Sequence, residues 1–231
     1  MPGAVYRIAT GTEPCLPAMN VAASLTDLAF RFLFLFGYAL LFAAVEIEIE
    51  GEHGWAERLP TWFRVTTLPA RVYALFMRGK PLTGYHLVMF FLPLWSFHIG
   101  FVGGVSWSWP SEAGTLSAYM VWVVIWDLLW FVLNPRYGWR RFRKGEVWWH
   151  GRTWIGRFPI DYWSALVISF AVAASAYPSA RSWVVLVNHA WLTAGMLLAT
   201  AACAALAPMY MRWYAHMRRP GSDERPLVLG P

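Results

Sequence analysis

From residue 27 onward, long apolar runs alternate with short basic, aromatic-rich stretches. The runs cover residues 27–45, 84–103, 115–133, 162–176 and 183–206. A hydrocarbon layer about 30 Å thick needs roughly 20 apolar residues of helix to cross it. Within it, only a helix or a closed barrel satisfies every backbone N–H and C=O. The pattern therefore predicts an all-α, polytopic membrane helix bundle of about five transmembrane helices with interfacial amphipathic segments. Residues 1–24 are expected as an outer N-terminal segment, 25–207 as a single transmembrane domain and 208–231 as a cytoplasmic tail. Asn134-Pro135 is expected to end the third helix, because proline cannot continue the hydrogen-bond ladder. Gly195, Ala199, Cys203 and Ala207 recur every four residues, a stripe suited to close helix contact.

Composition strengthens this reading. Hydrophobic residues make up 58% of the chain and charged residues 14%, against about 45–50% and 25% in soluble domains. Charge placement then sets orientation. Sixteen of the nineteen Lys and Arg fall between the first and second runs, between the third and fourth, or after the fifth. By the excess of positive charge on the cytoplasmic side, both long loops and the C-terminus are expected inside and the N-terminus outside. Basic residues beside apolar helices meet anionic lipid headgroups, so membrane lipids are the expected partners and nucleic acid is not. Cys15 and Cys203 lie a membrane thickness apart in this arrangement, too far for a disulfide.

The candidate chemistry lies where the runs meet the loops. Glu46, Glu50 and His53 share a face if the first helix continues past residue 45, and Glu50-x-x-His53 has the carboxylate–imidazole spacing found in carboxylate-bridged metal sites on helices. Glu146 and His150 are four apart in the second long loop, His86 starts the second run and Asp161 the fourth. The threading brings all seven to one membrane face, and mixed imidazole and carboxylate donors suit a divalent transition metal: iron first, zinc or manganese as alternatives. Asp127 is a candidate catalytic residue. It sits in Val-Val-Ile-Trp-Asp-Leu-Leu-Trp, and a carboxylate at that depth costs about 2.5–3.5 kcal/mol unless it faces the bundle interior with a partner such as Arg31. His98 and His189 fall at matched depth in the outer half, which raises haem as an alternative cofactor through axial imidazoles. Nucleotide-binding glycine loops and the Gly-x-Ser-x-Gly hydrolase elbow are absent.

Two functions follow as expectations. One is a metal-dependent membrane enzyme acting on a lipid or isoprenoid-type substrate by oxidation or hydroxylation at the cytoplasmic face. In that reading Arg140, Arg141, Arg143 and Lys144 would hold an anionic headgroup. The other is a non-enzymatic accessory or scaffold subunit with membrane-protein partners, in which the same groups form interfacial ion pairs.

Overall fold

A computed structural model describes residues 25–177 and 181–218. The expected outer segment, with Cys15, and the chain beyond Arg218 lie outside the described residues. The fold is all-α. In chain order come α1 (Leu25–Glu50), α2 (Leu68–Phe76), α3 (Gly84–Phe97), the single turn α4 (Ile99–Val102), α5 (Trp109–Leu133), α6 (Ile160–Ala174) and α7 (Arg181–Met217). Two short antiparallel ribbons staple the long loops. Strand β1 (Phe63–Arg64) pairs with β2 (Leu82–Thr83), with Phe63 opposite Thr83, and β3 (Trp154–Ile155) pairs with β4 (Phe158–Pro159), with Trp154 opposite Pro159.

Three helices, α1, α5 and α7, are long and apolar enough to cross a membrane. At 1.5 Å per residue, α3 and α6 measure only about 21 and 22 Å, short of a full hydrocarbon layer. α7 runs on past residue 206 to Met217, through Pro208, and so reaches well beyond the expected end of the fifth run. Central to the bundle is α5, which packs against α1, α6 and α7. Its inner surface buries Val121, Trp122, Ile125, Trp126 and Leu129 against Ala39 and Ala43 of α1 and Met196 of α7. The outer surface is inverted relative to a soluble protein. Phe30, Leu33, Phe34 and Leu41 on α1, Phe91, Leu92 and Trp95 on α3, and Trp183, Trp191 and Leu198 on α7 are all exposed. So continuous an apolar belt is stable only against lipid.

Hydrogen bonds show which helix ends lie together. The Asn134 side chain just past α5 donates to the Gly51 carbonyl just past α1 (2.6 Å). Tyr214 near the end of α7 donates to Glu48 of α1 and accepts from Arg136 (3.4 Å). At the opposite end, His98 meets Glu112 and the Trp109 indole donates to the Ser175 carbonyl. Both long loops, 51–83 and 134–159, therefore sit at one end of the bundle. There a second, aromatic core of Trp55, Trp130, Phe131, Tyr137, Phe142, Trp149 and Tyr162 joins them to the helices.

Local chemistry explains the boundaries at this end. α1 stops at Glu50 because Gly51 adopts a left-handed backbone (φ 65°), a conformation that disfavours a side chain. Asn134 is fully buried, and its Oδ1 accepts from the N–H groups of Arg136 and Tyr137 (3.0 and 3.1 Å). It thus ends α5 and ties that end to α1. Removing its amide strands the Gly51 carbonyl and two N–H groups. At about 1–3 kcal/mol for each buried polar group left unsatisfied, Asn134→Ala is expected to destabilise the fold by about 3 kcal/mol. Thermal unfolding in detergent, followed by circular dichroism, measures this.

A candidate metal and acid–base centre

A partly open cavity of about 590 Å³ lies among α1, α3, α5 and α6, with α2 along one side. Its upper wall is apolar, formed by Phe90, Met120, Val123, Val124, Ala165 and Ile168. Its floor, at the loop end, is densely charged. Glu46, Glu50, Asp127 and Asp161 face it together with Arg78, Lys80, His86 and His150. The size falls within the range of small-molecule sites, about 300–1,000 Å³.

On one side of the floor, Glu46, Glu50 and His86 present donor atoms that all lie within 4.8 Å of one another, and all three residues are buried. Glu46 and Glu50 are one helical turn apart at the end of α1, and His86 sits in the first turn of α3. The Thr83 hydroxyl caps α3 by accepting from the His86 N–H (3.0 Å) and also meets His86 Nδ1 (2.9 Å). In the tautomer whose ring proton sits on Nδ1, Thr83 accepts it and the Nε2 lone pair faces Glu50, 3.8 Å away. Fixing one imidazole nitrogen so that the other can bind is how protein scaffolds prepare a metal-ligating histidine. Trp55 stacks on the His86 ring (3.9 Å, 16°), and Lys80 Nζ lies 4.8 Å from the Trp55 ring centroid. The loop holding Trp55 is itself anchored by the site, because Glu50 Oε1 accepts from the Ala56 N–H at 2.6 Å. Trp55 and Ala56 both have positive φ (57° and 54°). Strained backbone of this kind, about 1–3 kcal/mol per residue, persists where surrounding contacts over-determine it.

On the other side, His150 lies between two carboxylates. Its Nε2 is 3.0 Å from Asp127 and its Nδ1 is 3.4 Å from Asp161. Tyr162 donates its hydroxyl to Asp127. Asp161 also meets Lys80 (3.2 Å) and Arg78 (3.0 Å). The Asp127 side chain keeps 30% of its surface exposed although it lies well inside α5; that surface faces the cavity. Four carboxylates thus confront two fixed cations, and Asp161 takes both. Among the described residues no Lys or Arg reaches Glu46 or Glu50 within 4.0 Å. Two adjacent buried carboxylates without a cation require protons or a bound ion. Two carboxylates and one imidazole fit a divalent first-row metal and leave coordination positions open toward the cavity.

Of the seven metal-ligand candidates, Glu46, Glu50 and His86 converge, while His150 and Asp161 share the cavity but are engaged elsewhere, His150 beside Asp127 and Asp161, and Asp161 with Arg78 and Lys80. His53 and Glu146 lie elsewhere. They line a separate surface depression of about 250 Å³ with Glu52, Glu57, Tyr137, Arg141, Trp148 and Trp149. The Glu50-x-x-His53 chelate does not form because the left-handed turn at Gly51 carries His53 off the helix, toward Glu52 and Glu57 (3.4 and 4.0 Å). In that depression burial raises the Tyr137 phenol above its ordinary pKa, while the Arg141 guanidinium over its ring opposes the shift. Asp127 meets His150 and Tyr162 rather than Arg31, which is exposed on α1. His98 has both ring nitrogens engaged, by the Leu94 carbonyl (2.7 Å) and Glu112 (3.0 Å). His189 pairs with Ser169 (3.1 Å) between α6 and α7. The two rings therefore serve different helix contacts. Arg140, Arg143 and Lys144 are exposed on the loop surface and do not line the cavity.

Lys80, Arg78, Trp55 and Tyr162 were not anticipated in these roles. Nothing in Arg-Gly-Lys-Pro separates a buried lysine from the surface cations around it. The Lys80 side chain is 7% exposed and that of Asp161 18%, so deleting the cation leaves an under-compensated internal carboxylate. Lys80→Ala is expected to cost about 2–3 kcal/mol, less than a complete break because Arg78 remains. In an Asp161→Asn background the same substitution is expected to cost less than about 1 kcal/mol. Denaturation of the four proteins in detergent gives the coupling. Comparison of this chain with protein families, curated proteins and solved structures found no match.

Proposed function

We propose that this chain is an integral-membrane, metal-dependent enzyme acting on a lipophilic substrate at the membrane face that carries its two long loops. In this proposal the positive-inside rule puts that face in the cytoplasm and the N-terminus outside, with α1, α5 and α7 crossing fully and the shorter α3 and α6 completing five crossings. One observation carries the reading. A half-apolar, half-charged cavity inside the bundle sets two uncompensated carboxylates and an oriented imidazole beside an Asp–His–Asp arrangement.

Glu46, Glu50 and His86 would hold the ion, with Thr83 and Trp55 fixing the imidazole. Once bound, a divalent metal supplies Lewis acidity and activates oxygen or water, which suits oxidation or hydroxylation of a lipid or isoprenoid. The protein's own groups do the rest. Met120, Val123 and Ile168 accommodate the apolar body of the substrate. The polar end that suits the floor is uncharged, since Arg78 and Lys80 are already held by Asp161. His150 Nδ1 is hydrogen-bonded to Asp161 (3.4 Å), and Nε2 stands 3.0 Å from Asp127 without a hydrogen-bonding angle. A small rotation of the ring would bring Nε2 into line to pass a proton to or from Asp127. Tyr162 keeps Asp127 oriented during that exchange.

Elemental analysis of detergent-purified protein tests the reading. Iron, zinc or manganese is expected near one equivalent or above. It should be lost in Glu50→Ala and His86→Ala and retained in His53→Ala and Glu146→Ala, with folding of each variant checked by circular dichroism. Folded protein that takes up no metal from replete medium would return the chain to the accessory-subunit reading.

A further inference from the structure

The cavity is not sealed from the surroundings of the bundle. Leu75, Arg78 and Ile168 line it and also reach the outer surface. Leu75 is 78% exposed, Ile168 49%, and the Arg78 side chain 45%. Leu68, Val72 and Leu75 form an exposed apolar stripe on α2 at the spacing of successive helical turns. Such a stripe lays a short helix into the bilayer interface, and its C-terminal end forms the sill of the opening. The opposite side is α6, whose Val167 and Ile168 face outward.

Arg78 spans the gap. Its Nε meets Asp161 Oδ1 at 3.0 Å and its Nη2 donates to Ser164 Oγ at 3.2 Å, both on α6. It stands on a distinctive hinge. α2 ends in a turn closed by Gly79 N–H donating to the Ala74 carbonyl (2.7 Å), with Arg78 itself at φ 52° and Gly79 at φ 86°. A non-glycine residue in the left-handed region stores strain that moving the turn relieves. Release of the guanidinium does not abandon Asp161, whose Oδ2 keeps both Lys80 and His150. An ion pair half-exposed on its arginine side, whose acid keeps a second cation and an imidazole contact, separates at low cost.

We propose that the cavity loads laterally from the bilayer through the mouth between α2 and α6, and that Arg78 is its latch. The incoming ligand is a lipophilic molecule, and the guanidinium leaves Asp161 and Ser164 to admit it. This rests on reading the cavity as the site of a lipophilic substrate, and it is separable from metal binding.

The test places a thiol on the inner wall as Val123→Cys, with Cys15→Ser and Cys203→Ala, in phosphatidylcholine nanodiscs. Labelling by the lipid-partitioning probe pyrenylmaleimide is compared with labelling by a charged, water-soluble methanethiosulfonate. Each rate is normalised to an exposed Arg152→Cys control. The lipid-borne probe is expected to react faster at Val123→Cys, and Arg78→Gln to raise its rate about fivefold, the scale set by an ion pair half-exposed on its arginine side. Arg78→Lys should restore most of the restraint. Ser164→Ala, which removes only the neutral anchor, should give a smaller increase and serves if Arg78→Gln does not fold. Faster reaction with the charged reagent, or no reaction with either, overturns lateral loading. Equal lipid-probe rates with and without Arg78 overturn the latch. Metal content of the same variants reports independently on the ion-binding reading, so the two can fail separately.

Discussion

The structure turns on the expense of charge in a medium of low polarity. Four carboxylates stand among aromatic and aliphatic side chains, where an unmatched ion costs several kcal/mol even after relaxation. Two of them, Asp127 and Asp161, are matched through His150, Lys80, Arg78 and Tyr162, drawn from two loops and from α6. The other two, Glu46 and Glu50, have an imidazole, an indole-backed loop and no cation. A helix bundle that is otherwise an apolar assembly has therefore concentrated its electrostatic imbalance at one point. That imbalance is the physical reason for regarding the point as functional.

Most of the architecture was legible because lipid allows so few solutions. A run of apolar residues long enough to cross must be helical, and Asn134-Pro135 must end one. The limits of that reasoning are equally physical. Fixed-length spans did not anticipate that α7 would continue through Pro208 to Met217: proline is tolerated in a helix when neighbouring groups compensate. Nor did they show that the second run would break at His98 into α3 and the single turn α4, since hydropathy does not report where a helix yields to a turn; the fourth run, at 15 residues, was already short in the sequence.

The site was legible in its members but not in its partition. Glu46, Glu50, His86, Asp127, His150 and Asp161 stood out because each is a polar group in an apolar setting. Their separation from His53 and Glu146 depends on the single left-handed turn at Gly51, which a spacing rule built on continuous helix ignores. Lys80 was invisible for the opposite reason. It belongs to a loop full of cations, and only the tertiary structure shows that this one is enclosed over Trp55 and bound to Asp161. The loop residues at positive φ, Trp55 and Ala56, carry no signature either. Their conformation is imposed by the carboxylate of Glu50, so backbone shape here follows from the site rather than preceding it.

Trp149 lines both the interior cavity and the surface depression. Its ring is packed so tightly on Gly54 that a β-carbon there would fall 2.2 Å from it. A single indole is thus a common wall of the interior cavity and the depression on the loop surface. Glycine at position 54 leaves the ring its seat, so the wall between the two hollows depends on the smallest residue in the chain pressed against one of the largest.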